Sequence, residues 1–176
     1  SDIGTKVTKV GQVVITTGLV ISKSIPKLQL VKGHYKHLDP NCMGEFDFPT
    51  SEEETLEIMP KRCMLCGKGG DIKLITTQSI FRQWQKVILQ EPSEDLRSGE
   101  PPRTVDLELV GDLVDTITVG DKIRVQGVLS AKSKPERINN SIVLDYYIHV
   151  TDIKILETNA LDIVLTDADV VKIREL

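Results

Sequence analysis

Apolar and polar residues alternate along most of this chain, and that period of two predicts strands rather than helices. Residues 7–21 are rich in Val, Ile and Thr, broken by Gly11 and Gly18, as expected of a long strand or hairpin with a sharp bend. Residues 28–35 alternate again and run directly into His37, whereas residues 38–61 are polar, acidic and irregular, a loop or small lobe with little to bury. The strand signal resumes over residues 71–77 and 81–90, then yields to turn chemistry over residues 92–102, with Pro92, Pro101, Pro102 and Gly99. Residues 103–109 place Val105, Leu107 and Leu109 on one face, and a Gly120-Asp121 turn launches a strand over 122–130 with Ile123 and Val125 on one side. Residues 141–156 form the last strong strand. The segment 131–140 joins those two strands; it is basic and carries Pro135 and an Asn139-Asn140 pair, which predicts a hairpin with its tip in solvent. Beyond Glu157, Thr166 as N-cap, Asp167 and Asp169 in the first turn, and Val170, Val171 and Ile173 on one side predict a short terminal helix.

Five or six strands with long, mixed connections and few helices predict a mostly β chain: a five-stranded, Greek-key oligonucleotide-binding (OB) barrel, partly open. An immunoglobulin-like sandwich would leave no place for the polar insertion. The expected division is a barrel over residues 1–37 and 71–157, an inserted lobe over 38–70, and a linker with a short helix over 158–176.

The lobe carries the most specific chemistry. Cys63-Met64-Leu65-Cys66-Gly67 is a two-thiolate knuckle: two intervening residues turn both sulfurs toward one ion, and the glycine tolerates the tight path behind them. Cys42, the remaining one of three cysteines, lies upstream beside His34 and His37, which compete for a fourth ligand position. The spacing predicts a structural zinc site; the alternative is a set of unliganded thiols packed as small apolar residues.

Composition agrees with a folded domain. In 176 residues, 40% are hydrophobic, enough for a core. No apolar run approaches the roughly 20 residues needed to span a bilayer, and the low, odd cysteine count favours a reducing compartment, so an intracellular protein is expected. The net charge of −4 argues against nucleic acid until its distribution is considered. Acids gather at Glu52-Glu53-Glu54, over residues 91–100 and after Glu157, whereas bases gather at Lys23, Lys27, Lys32 and Lys36 and again at Lys132, Lys134 and Arg137. A basic stripe of this kind holds a phosphate backbone, or merely solvates strand edges.

A longer set of motifs resembles a known family. Gln90-Glu91-Pro92, Pro101-Pro102-Arg103, Asp112-Leu113-Val114-Asp115 and Gly120-Asp121-Lys122-Ile123-Arg124-Val125-Gln126-Gly127 stand in the order and near the spacing of the N-terminal region of archaeal minichromosome maintenance (MCM) replicative helicases. Ile3-Gly4 with Gly18-Leu19-Val20, and the tail from Leu165 to Leu176, resemble the family's opening and its approach to the motor, so the likeness covers nearly the whole chain. In that family the first metal ligand follows an aromatic residue by two positions. Tyr35-Lys36-His37 therefore implies the ligand set His37, Cys42, Cys63 and Cys66, with histidine where the commoner set has a fourth cysteine.

The resemblance implies further roles. The 131–140 segment matches a hairpin that points into the channel of a six-membered ring, which implies DNA contacts from Lys132, Lys134 and Arg137. Lys27, Lys32 and Arg103 match positions that bind single strands across the barrel, although Ile88 stands where relatives often place a base. The loop 94–102, with Glu94, Leu96, Gly99, Glu100 and Pro102, matches a communication loop toward the neighbouring subunit; a proline-stiffened connector is the plainer reading. Trp84, Tyr146 and Tyr147 either stack on bases or pack as core aromatics. No phosphate loop is present, since Cys66-Gly67-Lys68-Gly69 lacks the hydroxyl residue and the first glycine, and no nucleophile has a spare base. The expectation is a fragment without catalysis of its own, its ATP and Mg2+ chemistry residing in an absent motor. Its expected partners are single-stranded DNA and further copies of itself in a hexamer, in a cytoplasmic, chromosome-associated setting; duplex DNA and a double ring stay open. The alternative is a zinc-bearing assembly module that never grips DNA; a zinc hydrolase is a distant third.

Overall fold

A computed structural model describes residues 7–49, 59–92 and 101–158. Ten strands account for most of them: β1 (Val13–Lys23), β2 (Lys27–His37), β3 (Glu45–Pro49), β4 (Ile72–Leu74), β5 (Ile80–Gln90), β6 (Thr104–Val110), β7 (Lys122–Ala131), β8 (Glu136–Ile138), β9 (Ser141–Val143) and β10 (Tyr146–Glu157). The chain divides into two compact units, one holding residues up to Pro26 and from Trp84 onward, the other Lys27–Gln83.

In the first unit, β1, β7, β10, β6 and β5 are hydrogen-bonded in that order, and β1 also pairs with β5, so the five strands close on themselves. All the contacts are antiparallel except β6 with β10, where Ile148 faces Leu107 in a parallel pair. Period-two alternation sends one side of every strand inward: Val14 and Val20, Val87 and Leu89, Val105, Leu107 and Leu109, Ile123, Val125 and Leu129, Ile148 and Val150 form one buried cluster. Val114 and Ile117, from the connection after β6, close the cluster. Gln85, buried like Thr16 and Asp121 despite being polar, is satisfied: its amide donates to the Ser24 carbonyl at 2.8 Å and accepts from the Asp115 backbone N–H at 2.9 Å. Gly127, last residue of the Gly120–Gly127 motif, sits where a Cβ would run into the His149 carbonyl, so only hydrogen fits between β7 and β10.

Several of the expected strands change, among them that over 71–77, which shortens to Ile72–Leu74. The first strand begins at Val13, because Gly11 turns the chain at φ +89° and its N–H bonds the Leu129 carbonyl. The final strand is two elements, β9 and β10, separated at Leu144-Asp145: β10 leaves β7 where Tyr146 faces Ala131, and β9 pairs with β8 alone. Within the segment expected to be irregular, Glu45–Pro49 is a strand whose Phe46 and Phe48 alternate with acids.

In the second unit, β2 lies between β3 and β4, with Tyr35 facing Phe46 on one side and Leu74 on the other. Tyr35, Phe46 and Cys63 are buried together with Cys42, Phe48, Ile72 and Leu74 around them, and the Tyr35 and Phe46 rings stack at 5.9 Å. The expected terminal helix lies outside the described residues.

Candidate metal centre and nucleic-acid interface

Three backbone features bring four ligands of the second unit together. β2 ends on His37, whose N–H bonds the Gly44 carbonyl and so folds the 38–44 loop back on the strand. In that loop Asp39 caps the turn, its carboxylate accepting from the Asn41 N–H and its carbonyl from the Cys42 N–H. The knuckle closes by a Gly67 N–H to Cys63 carbonyl bond and a Leu65 N–H directed at the Cys63 sulfur at 3.4 Å, with Gly67 at φ +77°. As a result one donor atom from each of His37, Cys42, Cys63 and Cys66 lies within 4.8 Å of the other three.

The spacing inside this cluster fits zinc. Tetrahedral zinc with bonds of about 2.3 Å to sulfur and 2.0–2.1 Å to nitrogen needs edges of about 3.8 Å between sulfurs and about 3.5 Å from sulfur to nitrogen. The Cys42 and Cys63 sulfurs are 3.8 Å apart, and the Cys66 sulfur is 3.4 Å from His37 Nδ1. A disulfide would need about 2 Å, and all three thiols are free. The His37 Nε2–H donates to the Gly69 carbonyl at 3.0 Å, which can only accept, so the ring's lone pair is at Nδ1, facing the sulfurs. Burial opposes ionisation of Cys63, but backbone N–H groups of Cys66 and Leu65 outweigh it and bring that thiol down to about 7. At Cys42 the Gly44 N–H favours the thiolate, yet burial and the neighbouring Cys63 and Cys66 sulfurs push the thiol up. One thiolate forms readily and resists a second; a divalent cation between them removes that conflict. Four protein donors leave no position for a reactive water.

His34 stands apart from this cluster and is no fourth ligand. Its Nδ1 meets Asp47 at 2.7 Å and its Nε2 meets Glu45 at 3.1 Å, both across the β2–β3 pair. The hydrogen bond to Asp47 comes first among the causes that raise the His34 pKa above 6.5, and His34 in turn holds the Asp47 carboxyl below its ordinary value of 3.8. The raised histidine contributes stability fully present below about 6.5 and lost as pH climbs through its folded value; the depressed carboxyl contributes stability present above 3.8 and lost as pH falls. His34→Gln is therefore expected to lower the melting temperature most near pH 5, with the gap from the unaltered protein closing toward pH 8. A gap independent of pH in thermal melts would contradict the pairing.

The cations expected to contact DNA fall in both units. In the first, β8 and β9 form a two-stranded ribbon with a two-residue turn, Asn139 adopting φ +55°, and residues 132–145 are exposed throughout. Lys134 makes no ion pair among the described residues, and Arg137 only donates from Nε to the Asn139 carbonyl at 3.3 Å. Lys132, at the base of the ribbon, is paired with Asp106 of β6. Arg103 is exposed just before β6. In the second unit Lys27 is exposed at the start of β2, and Lys32 sits 3.6 Å from Asp47. Trp84 is half-buried with its indole N–H committed to Glu108 at 3.0 Å, and Glu108 also meets His149 at 2.7 Å. Tyr146 is exposed and Tyr147 half-buried. Of the expected communication loop only Pro101 and Pro102 are described, and both are exposed; Glu94, Leu96, Gly99 and Glu100 lie outside the described residues.

Sequence reasoning missed Lys86. It lies on the outward side of β5, 3.5 Å from the same Asp106 oxygen that meets Lys132. Its signal was the alternation itself, since Gln85, Val87 and Leu89 point inward.

A closed five-stranded β ring joined in sequence to a Cys3His cluster that could hold a metal ion defines an OB-type domain with a candidate metal lobe. Residues 5–133 match the MCM OB domain, and the chain belongs to the MCM family. It is 34% identical over 172 residues to the minichromosome maintenance protein MCM of Saccharolobus solfataricus, covering 96% of this chain and 25% of that protein. It is 31% identical to DNA replication licensing factor Mcm2 of Drosophila melanogaster, covering 67% of this chain and 12% of the relative. It is also 31% identical to DNA replication licensing factor mcm6 of Schizosaccharomyces pombe, over 70% of this chain and 14% of that protein. The chain thus spans a quarter or less of the length of these relatives. Among the described residues no helix is long and apolar enough to cross a membrane.

Proposed function

We propose that this chain is the DNA-binding and ring-assembly part of a hexameric, ATP-driven 3′→5′ replicative helicase, acting at the chromosome in replication. The structural ion is zinc, and catalysis, with ATP and Mg2+, belongs to a motor outside this chain. Lys132, Lys134, Arg137, Arg103, Lys27 and Lys32 neutralise backbone phosphates, which gives steep salt dependence and little sequence preference. The loop 94–102 relays engagement to a neighbouring subunit. The observation that carries this reading is the β8–β9 ribbon: it pairs only with itself, lies in solvent, and presents Lys134 and Arg137 without acidic partners among the described residues.

Combined Lys134→Ala and Arg137→Ala should weaken single-stranded DNA binding about tenfold at low salt and lower the salt slope by about 0.7 per lost phosphate contact, with unfolding unchanged. Anisotropy of a labelled oligothymidine checks this, and unaltered affinity would remove the ribbon from the mechanism. The outward side of β1 supports a second reading: Val13, Ile15, Leu19 and Ile21 are all exposed there, and the net charge is −4, as a pure assembly module would have it. Such a module would show no salt slope because it would not bind DNA.

A further inference from the structure

We propose that Lys86 and Lys132 form a phosphate site on the outer surface of the ring, and that Asp106 of this chain occupies it until a nucleic-acid phosphate takes its place. The inference rests on the DNA-binding reading above and adds to it a residue and a mode of restraint. One oxygen, Asp106 Oδ2, meets both ammonium groups, on β5 and at the base of the β8–β9 ribbon. One carboxylate oxygen between two lysines is the arrangement a phosphodiester oxygen would adopt there. Both lysine side chains are more than 40% exposed, at 42% and 46%, while that of Asp106 is only 22% exposed, so the cations are reachable from solvent. Beside them opens a cleft of about 300 Å³ lined by Thr104, Asp106, Lys132, Asp145 and Tyr146, with room for the sugar and base that accompany a phosphate.

The acidic groups facing this site set its strength. Asp145 adds a second negative field at Lys132, and Glu108, directly opposite Lys86 in the β5–β6 register, adds another. Burial favours the neutral form of Asp106, but the Lys132 and Lys86 charges outweigh it and hold its carboxyl below the ordinary value. Asp106 is therefore ionised at neutral pH and competes with phosphate on equal chemical terms. A phosphate that enters must break both contacts and tolerate the displaced carboxylate nearby, so the site lowers affinity for short or poorly placed strands. Long strands already engaged at Lys134 and Arg137 bring phosphates to it at high effective concentration.

Asp106→Asn keeps the shape of the side chain and removes the competing charge. Binding of a labelled 30-mer oligothymidine should tighten about three- to tenfold at low salt and the salt slope should steepen by about 0.7. Adding Lys86→Ala should cancel the gain, and Lys86→Ala alone in the unaltered background should weaken binding and flatten the slope. Should Asp106→Asn fail to fold, the single Lys86 variant still decides, since the Lys86 side chain is partly exposed on the outward side of β5. If the chain binds DNA and loses affinity in the Lys134 and Arg137 variant, yet Asp106→Asn and Lys86→Ala change nothing, the proposal falls and the DNA reading stands. If no variant and no salt condition yields binding, both fall together.

Discussion

Cys66→Ser is expected to empty the metal site, with zinc per chain dropping from one equivalent toward zero, and to unfold much of the Lys27–Gln83 unit. Among the described residues the unit's own apolar cluster is small, built on Tyr35, Phe46 and Cys63. Ligation of structural zinc supplies on the order of 10 kcal/mol in small metal domains, more than such a cluster contributes. Removing one thiolate also leaves the His37, Cys42 and Cys63 donors converged without the cation that makes their approach favourable. The ring of β1, β7, β10, β6 and β5 has its own core and should keep its protection. Metal analysis together with hydrogen exchange checks both halves: amides of β2, β3 and β4 should exchange fast while those of β6 and β7 stay slow. Full zinc retention, or equal loss of protection in both units, would overturn this account.

What the chain announces in advance follows from how local the deciding physics is. Inward positions of β5, β6 and β7 were legible because period two alone separates Val87 and Leu89, Val105 and Leu107, Ile123 and Val125 from their exposed neighbours. The three cysteines were legible through spacing, yet spacing did not choose between His34 and His37. Both histidines precede Cys42 by a few residues; the family resemblance favoured His37, and the register that sets His34 opposite Asp47 and carries its ring to Glu45 removes His34. β3 escaped notice because Phe46 and Phe48 are two apolar residues in an acidic stretch, and their worth appears only when Tyr35 lies beneath them. The break at Leu144-Asp145 was equally hidden: a single Asp inside an otherwise strand-like run is a weak stop signal, and partner choice ends the pairing of β10 with β7. Charge was the least readable property. Lys132 looked free in sequence, but Asp106, remote along the chain, was brought beside it by the parallel pairing of β6 with β10.

Leu107→Ala is expected to destabilise the ring by about 2–5 kcal/mol, a large fraction of the roughly 5–15 kcal/mol that holds a domain folded. Leu107 is 1% exposed and sits at the middle of β6, opposite Val87 on one side and Ile148 on the other. Those neighbours belong to strands that are hydrogen-bonded into a closed circuit, so no edge can shift inward to fill the lost volume. An open sheet would relax by sliding one strand, whereas here any slide breaks a second ladder, which places the cost toward the upper end of the range. Val110→Ala, on the outward side of the same strand and half-buried, is the matching control and should cost less than about 1 kcal/mol. Urea unfolding followed by tryptophan fluorescence reads both, since Trp84 lies opposite Val110 in the β5–β6 register. Metal content should be unchanged in Leu107→Ala, because all four ligands belong to the other unit. Equal costs for the two substitutions would mean that the inward cluster is not what holds the five strands closed.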